Sequence, residues 1–144
     1  MNHVLRNAPA GAVAVKTDAD SQAFWNGLRA GQLQLPECSA GHRFFPPMPS
    51  CPVCGSTDVG LRPAEGRGRL YSWATVHIAL DPAFVPDVPY TVVVAELDEG
   101  GRLMGRLLDT SDELHAGAQV QLETYEVDGE TLPGFRLIEQ GADG

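Results

Sequence analysis

Residues 33–56, LQLPECSAGHRFFPPMPSCPVCGS, are the stretch on which the fold reading turns. Within it, Cys51-Pro52-Val53-Cys54-Gly55 has the form of a metal knuckle. Two residues between the cysteines let both thiolates face one point, and the glycine tolerates the tight backbone that follows. Cys38 is the third cysteine, and the chain has only 3. An odd count argues against a disulfide framework. A C-x-x-C pair also serves redox chemistry, but that use needs a strand–helix setting, and no βαβ pattern surrounds this one. A structural zinc takes four ligands. His42 is the nearest candidate to complete Cys38, Cys51 and Cys54, giving C-x3-H-x8-C-x2-C. The competing reading is a surface His42 beside a buried Cys38 thiol. A ribbon of about 30 residues lies below the roughly 40-residue floor for folding on its own core, so metal or neighbouring segments must stabilise it. Four protein ligands leave no open position, so such a metal would be structural.

Upstream, residues 1–17 read as a flexible arm. Asp20 is placed to cap a helix over about 21–30, with Phe24, Trp25 and Leu28 on one face and Gly31 ending it. Leu33 and Leu35 alternate with polar neighbours as a short strand, and residues 58–62 form its return. Downstream, Arg62 to Arg69 (RPAEGRGR) reads as a linker. Five strands follow, at about 70–79, 90–97, 102–107, 118–127 and 133–139. Asp98-Glu99-Gly100-Gly101 and Asp128-Gly129-Glu130 are hairpin turns, and residues 110–116 form a single capped turn at most. Five strands in about 70 residues match a small Greek-key barrel of the OB type. The expected fold is mainly β: a helix and zinc-ribbon module over 18–62, then an OB-fold domain over 63–144.

Composition agrees with a globular chain: 144 residues, 43% hydrophobic and 20% charged, with a net charge of −9. The charge is uneven. Residues 1–60 hold four basic and four acidic side chains, whereas 61–144 hold six basic and fifteen acidic. An acidic barrel repels phosphate backbones, which counts against a nucleic-acid-binding ribbon–barrel module, the alternative reading. No apolar run approaches the roughly 18 residues of a membrane span. The stretch Gly11 to Val15 is too short for a signal peptide, so a cytoplasmic protein without a membrane partner is expected. Walker loops, Rossmann glycine fingerprints and nucleophile elbows are absent. His77, His115 and the acids Glu96, Asp98 and Glu99 form no nucleophile–base constellation, so no catalytic residue is assigned.

The ordered series FWNGL, LQLPEC, FFPPMPSCPVCGS, RGRLYSW, PYTVVVAELDEGGRLMGRL, LHAGAQV and LPGFRL resembles the acyl-CoA-associated OB-fold proteins with an N-terminal rubredoxin-like zinc ribbon. The resemblance covers roughly residues 20–140. It implies an auxiliary subunit in a hetero-oligomer with a thiolase-like or lipid-transfer-protein-like enzyme: an aldolase, thiolase or acyltransferase. Retro-aldol cleavage of a steroid side chain is the most attractive specific case. The partner would carry the catalytic residues, and this module would help form the site of a shared CoA thioester. Where the family's first knuckle reads C-x-x-C-G, this chain has Cys38-Ser39-Ala40-Gly41-His42, with His42 as the substitute ligand. Arg62, Arg67 and Arg69 are the candidates for the CoA phosphates, since guanidinium forks suit phosphate oxygens. A solvated linker is the competing reading. Phe44, Phe45 and Met48, with Phe84 and Val85 of the proline-rich loop 80–89, are the candidate partner surface, against a role in capping the barrel.

Overall fold

A computed structural model describes residues 2–6, 15–109 and 114–138. Strand β1 (Asn2–Arg6) comes first, then helix α1 (Gln22–Arg29), whose Phe24, Gly27 and Leu28 form one buried stripe at helical spacing. The helix start is built by Asp18 and Ser21 rather than Asp20. The Ser21 N–H donates to the Asp18 carboxylate at 2.8 Å, and the Asp18 N–H donates to the Ser21 hydroxyl at 3.1 Å. These Ser21 hydrogen bonds hold the Asp18 carboxyl below its ordinary pKa. Gly31, at φ 82°, ends the helix as expected.

Strands β2 (Gln34–Cys38) and β3 (Val59–Pro63) form the antiparallel ribbon. Five strands then close the barrel: β4 (Arg67–Val76), β5 (Tyr90–Leu97), β6 (Arg102–Leu107), β7 (Gln119–Val127) and β8 (Glu130–Leu137). β4, β5 and β6 are an antiparallel meander, β6 runs parallel to β8, and β7 pairs antiparallel with both β8 and β4. This is the expected OB-type closure. Asp128 and Gly129, at φ 54° and 83°, make the tight β7–β8 turn. That turn lets β8 pair from Glu130 onward, earlier than the alternation alone suggests.

Two parts of the sequence reading are corrected. The segment Arg62–Arg69 is not a free linker: Arg62 lies in β3 and Arg67 and Arg69 in β4. Its glycines serve close approach instead of looseness. A Cβ on Gly68 would lie 2.4 Å from the Glu96 carbonyl oxygen, so only glycine lets β4 run this near β5. The arm is corrected at its start, where β1 pairs parallel with β7 from Thr124 to Val127. β4 leaves β7 after Gln121, exposing the edge that β1 fills. Residues 7–14 of the arm, 110–113 of the connector and residues from 139 onward lie outside the described residues.

One core joins the two modules. Phe24, Leu28, Leu33 and Leu35 pack in the same cluster as Leu70, Val93, Leu97, Leu103, Val120 and Phe135 of the barrel. No helix among the described residues is long and apolar enough to cross a membrane. Gly68→Ala should destabilise the protein by about 2–4 kcal/mol in urea unfolding, because rigid backbone must shift. Gly60→Ala, where a Cβ meets nothing within 4 Å, should stay within about 0.5 kcal/mol of the parent.

Candidate metal centre

The ribbon brings four candidate ligands to one end through local backbone hydrogen bonds. After Cys38 the chain turns at once: Gly41 N–H donates to the Cys38 carbonyl at 2.9 Å, and Cys38 N–H donates to the His42 carbonyl at 3.0 Å. Gly41 sits at φ 88°, a conformation that accounts for glycine in this shortened knuckle. In the second knuckle, Gly55 N–H donates to the Cys51 carbonyl at 2.8 Å, and Val53 N–H points at the Cys51 sulfur at 3.3 Å. Phe44, Met48 and Val59 pack against Cys38 and Cys51 as a small separate core.

The ligand atoms of Cys38, His42, Cys51 and Cys54 lie within 4.8 Å of one another. Cys38 Sγ stands 3.4 Å from His42 Nδ1 and 3.8 Å from Cys54 Sγ, and Cys51 Sγ stands 3.8 Å from His42 Nδ1. Zinc bonds of about 2.3 Å to sulfur and about 2.0–2.1 Å to nitrogen place tetrahedral ligands about 3.5–3.8 Å apart. The three separations fit that polyhedron. Nδ1 is the ring nitrogen that faces the sulfurs and so the one placed to act as the histidine donor. Cys38 and Cys51 are buried, His42 is half-buried and Cys54 is exposed, so solvent reaches the site from one side.

Burial pushes the Cys38 thiol up, but backbone N–H donors at His42 and Ala40 outweigh it and hold the thiol below its ordinary pKa. Cys51 is likewise lowered: burial opposes, while N–H donors at Cys54 and Val53 prevail. Cys54 is raised; the Ser56 N–H lowers it, but burial and the neighbouring Cys51 and Cys38 sulfurs together dominate. Metal ligation takes the deprotonated form of each.

The remaining sequence candidates are dispersed. Arg62 pairs with Glu37 at 3.1 Å on the ribbon. Arg67 and Arg69 instead flank a small groove with Asp98 and Gln119, where Arg69 donates to the Gly117 carbonyl at 3.1 Å. The expected partner surface divides. Phe44 is buried against the metal ligands and Met48 packs on the same cluster. Phe45 packs against Phe24 with ring centroids 4.9 Å apart and the planes tilted by 53°, and Phe84 packs against Tyr125 and Val127. Only Val85 is openly exposed. The structure therefore corrects Phe44 as a docking residue: a ribbon this small needs its aromatic side chains for its own core. Ile78, which the sequence reading passed over, and Leu80, at the start of the loop 80–89, are exposed as well, and Leu80 is 96% exposed. The signal was the run His77-Ile78-Ala79-Leu80 just past the strand end, where alternation with polar residues stops.

Comparison with known proteins agrees with this architecture. Residues 25–60 match the family model "ChsH2, rubredoxin-like zinc ribbon domain", and residues 61–124 match "ChsH2, C-terminal OB-fold domain". The chain belongs to this zinc-ribbon and OB-fold family. It is similar to a chain of the solved "Ltp2-ChsH2(DUF35) aldolase", with a TM-score of 0.76 and 33% identity, over 86% of this chain and 98% of that one. It is 39% identical over 118 residues to a "Probable enoyl-CoA hydratase alpha subunit" of Thermomonospora curvata, covering 79% of this chain but 36% of the relative's length. A "DUF35 domain-containing scaffold protein" of Pyrococcus furiosus is 29% identical over 121 residues, covering 79% of this chain and 88% of its own. The chain thus spans about a third of the hydratase subunit and most of the scaffold protein.

Protein purified without chelator should carry about one equivalent of zinc by elemental analysis. Cys51→Ser and His42→Ala should each leave under about 0.2 equivalents and lower the thermal midpoint. Metal-free parent protein with an unchanged midpoint contradicts the site.

Proposed function

We propose that this chain is an auxiliary, non-catalytic subunit that docks on a thiolase-superfamily enzyme and helps form its acyl-CoA site. The observation that carries the reading is the likeness to a chain of an aldolase complex over 98% of that chain's length, with both ribbon and barrel included. The scaffold and subunit names of the other relatives point the same way. Cys38 and Cys51 do approach His42, at 3.4 and 3.8 Å, but within a four-residue Cys/His cluster whose spacing suits a metal better than a nucleophile–base pair. On this reading zinc holds the ribbon in shape and takes no part in the reaction, which runs on residues of the partner. Retro-aldol cleavage of an acyl-CoA, a steroid side-chain thioester in the most attractive case, is the favoured chemistry.

The groove flanked by Arg67 and Arg69 is the proposed contact for the CoA phosphates. Arg62 is dropped from that role because its guanidinium is engaged by Glu37. Docking is assigned to the exposed Ile78, Leu80 and Val85. Their loop is stiffened by the 3-10 turn Pro82–Asp87, which Asp81 caps through the Ala83 N–H. A pre-ordered apolar loop loses little entropy on binding.

The nucleic-acid alternative is disfavoured on the barrel face that OB folds use for oligonucleotides. Its two β6 cations are already engaged: Arg102 bonds Glu96 at 3.3 Å and lies 3.8 Å over the Tyr71 ring, and Arg106 pairs with Asp87 at 3.4 Å.

Co-expression with a thiolase-like enzyme encoded beside this chain should give one size-exclusion peak containing both proteins. Arg67→Glu with Arg69→Glu should weaken acyl-CoA binding by the assembled complex about tenfold or more without dissociating it. Unchanged affinity rejects the arginine role. A partner that is fully active alone and forms no complex rejects the subunit reading.

A further inference from the structure

Among the ion pairs of the described residues, the one between Arg106 and Asp87 is the least exposed, with side chains 17% and 10% open to solvent. Arg106 lies on β6 opposite Val92 of β5. Tyr90 stands two residues from Val92 on the same face of that strand, so its ring meets Arg106 diagonally across the sheet. The guanidinium is 4.7 Å from the centre of the Tyr90 ring and 6.0 Å from that of Tyr125. Its ionic partner comes from outside the sheet. Asp87 is the last residue of the 3-10 turn Pro82–Asp87, and its carboxylate lies 3.4 Å from the guanidinium.

What the pair fastens follows from the period of the turn. A 3-10 helix has about three residues per turn, so side chains three apart lie on one side. Phe84 and Asp87 have that spacing, and both face the barrel. Phe84 packs on Tyr125 and Val127, with its ring 6.4 Å from Tyr90, and Asp87 meets Arg106. Val85 falls on another side and is 57% exposed. An enclosed ion pair adds little net stability, because desolvation offsets most of the attraction. Its effect is on where the groups sit.

We propose that Arg106 is the positioning residue of the docking loop: by holding Asp87 it fixes the side of the turn that presents Val85, with Leu80 ahead of it, to the partner enzyme. The inference rests on the auxiliary-subunit reading and adds the residue that orients the loop from beneath. Without the pair the turn leaves the barrel part of the time, and affinity falls by the fraction of time it is in place. That loss shows in association, whereas loss of a contact residue shows mainly in dissociation.

Arg106→Met keeps a stem against the rings but removes the charge, Asp87→Asn removes the opposite charge, and Arg106→Lys keeps the cation. Off the barrel so short a turn does not hold its hydrogen bonds. The Ala83 and Phe84 N–H groups, both bonded to Asp81, therefore report its release. Their hydrogen exchange should quicken about tenfold in Arg106→Met and Asp87→Asn, with β5 and β6 unchanged, and return to within about threefold of the parent in Arg106→Lys. The complex with the thiolase-like enzyme encoded beside this chain should weaken about tenfold in Arg106→Met, through slower association. Leu80→Ala should instead speed dissociation. Unchanged exchange in both charge-removing variants overturns the hold on the turn. Faster exchange with an unchanged complex Kd, or a Kd raised through dissociation alone, overturns the positioning role. If the parent chain binds no enzyme, the auxiliary-subunit reading falls and takes the positioning role with it, while the exchange rates still decide whether Arg106 holds the turn.

Discussion

Everything in this molecule depends on the burial of α1 against the barrel. Phe24 is 2% exposed, with the Trp25 ring edge-on at 5.0 Å and Phe45 of the ribbon at 4.9 Å. Leu28 and Leu35 continue the same contact into the cluster that includes Val93, Val120 and Phe135. Burying each such side chain is worth about 1.5–3 kcal/mol. The ribbon has no core of useful size alone: its separate cluster holds only Cys38, Phe44 and Cys51 as buried members. The helix therefore joins the two modules into one folding unit.

The barrel was legible because its strands alternate and its turns carry the glycines that positive φ demands. Residues 90–97 and 102–107 are strands as read, joined at Gly100 and Gly101. The convergence of Cys38, His42, Cys51 and Cys54 on one point was legible from their spacing. What the sequence could not reveal was whether a glycine marks slack or contact. In RPAEGRGR the two look identical, and the structure shows contact at Gly68. Aromatic residues carry the same ambiguity. Phe44 and Phe84 read as exposed because each lies in a proline-rich segment, yet each fills a small core that exists only once the chain is folded.

The acidic character of the barrel half also takes a more local meaning. Arg62, Arg102, Arg106 and Arg136 each pair with a carboxylate. Among the described residues Arg67 and Arg69 form no such pair. The surplus of acids is therefore a surface potential, while the positive charge left for a ligand is concentrated at one groove. Long-range attraction favours a basic partner, and within the barrel half an anion is best received at the Arg67–Arg69 groove.

The β5–β6 turn has a further consequence. Gly100 and Gly101 lie so close to the ribbon that a Cβ on either would stand 2.9 Å from the Arg43 carbonyl oxygen or 2.8 Å from the Phe45 nitrogen. Arg43 directly follows His42 in sequence. Loss of order around the metal ligands is thus transmitted to the tip of a barrel hairpin through backbone atoms in contact. Ribbon and barrel are therefore expected to melt in one cooperative transition, and the free energy of an ion held by the four Cys/His side chains would be shared by strands that never touch it.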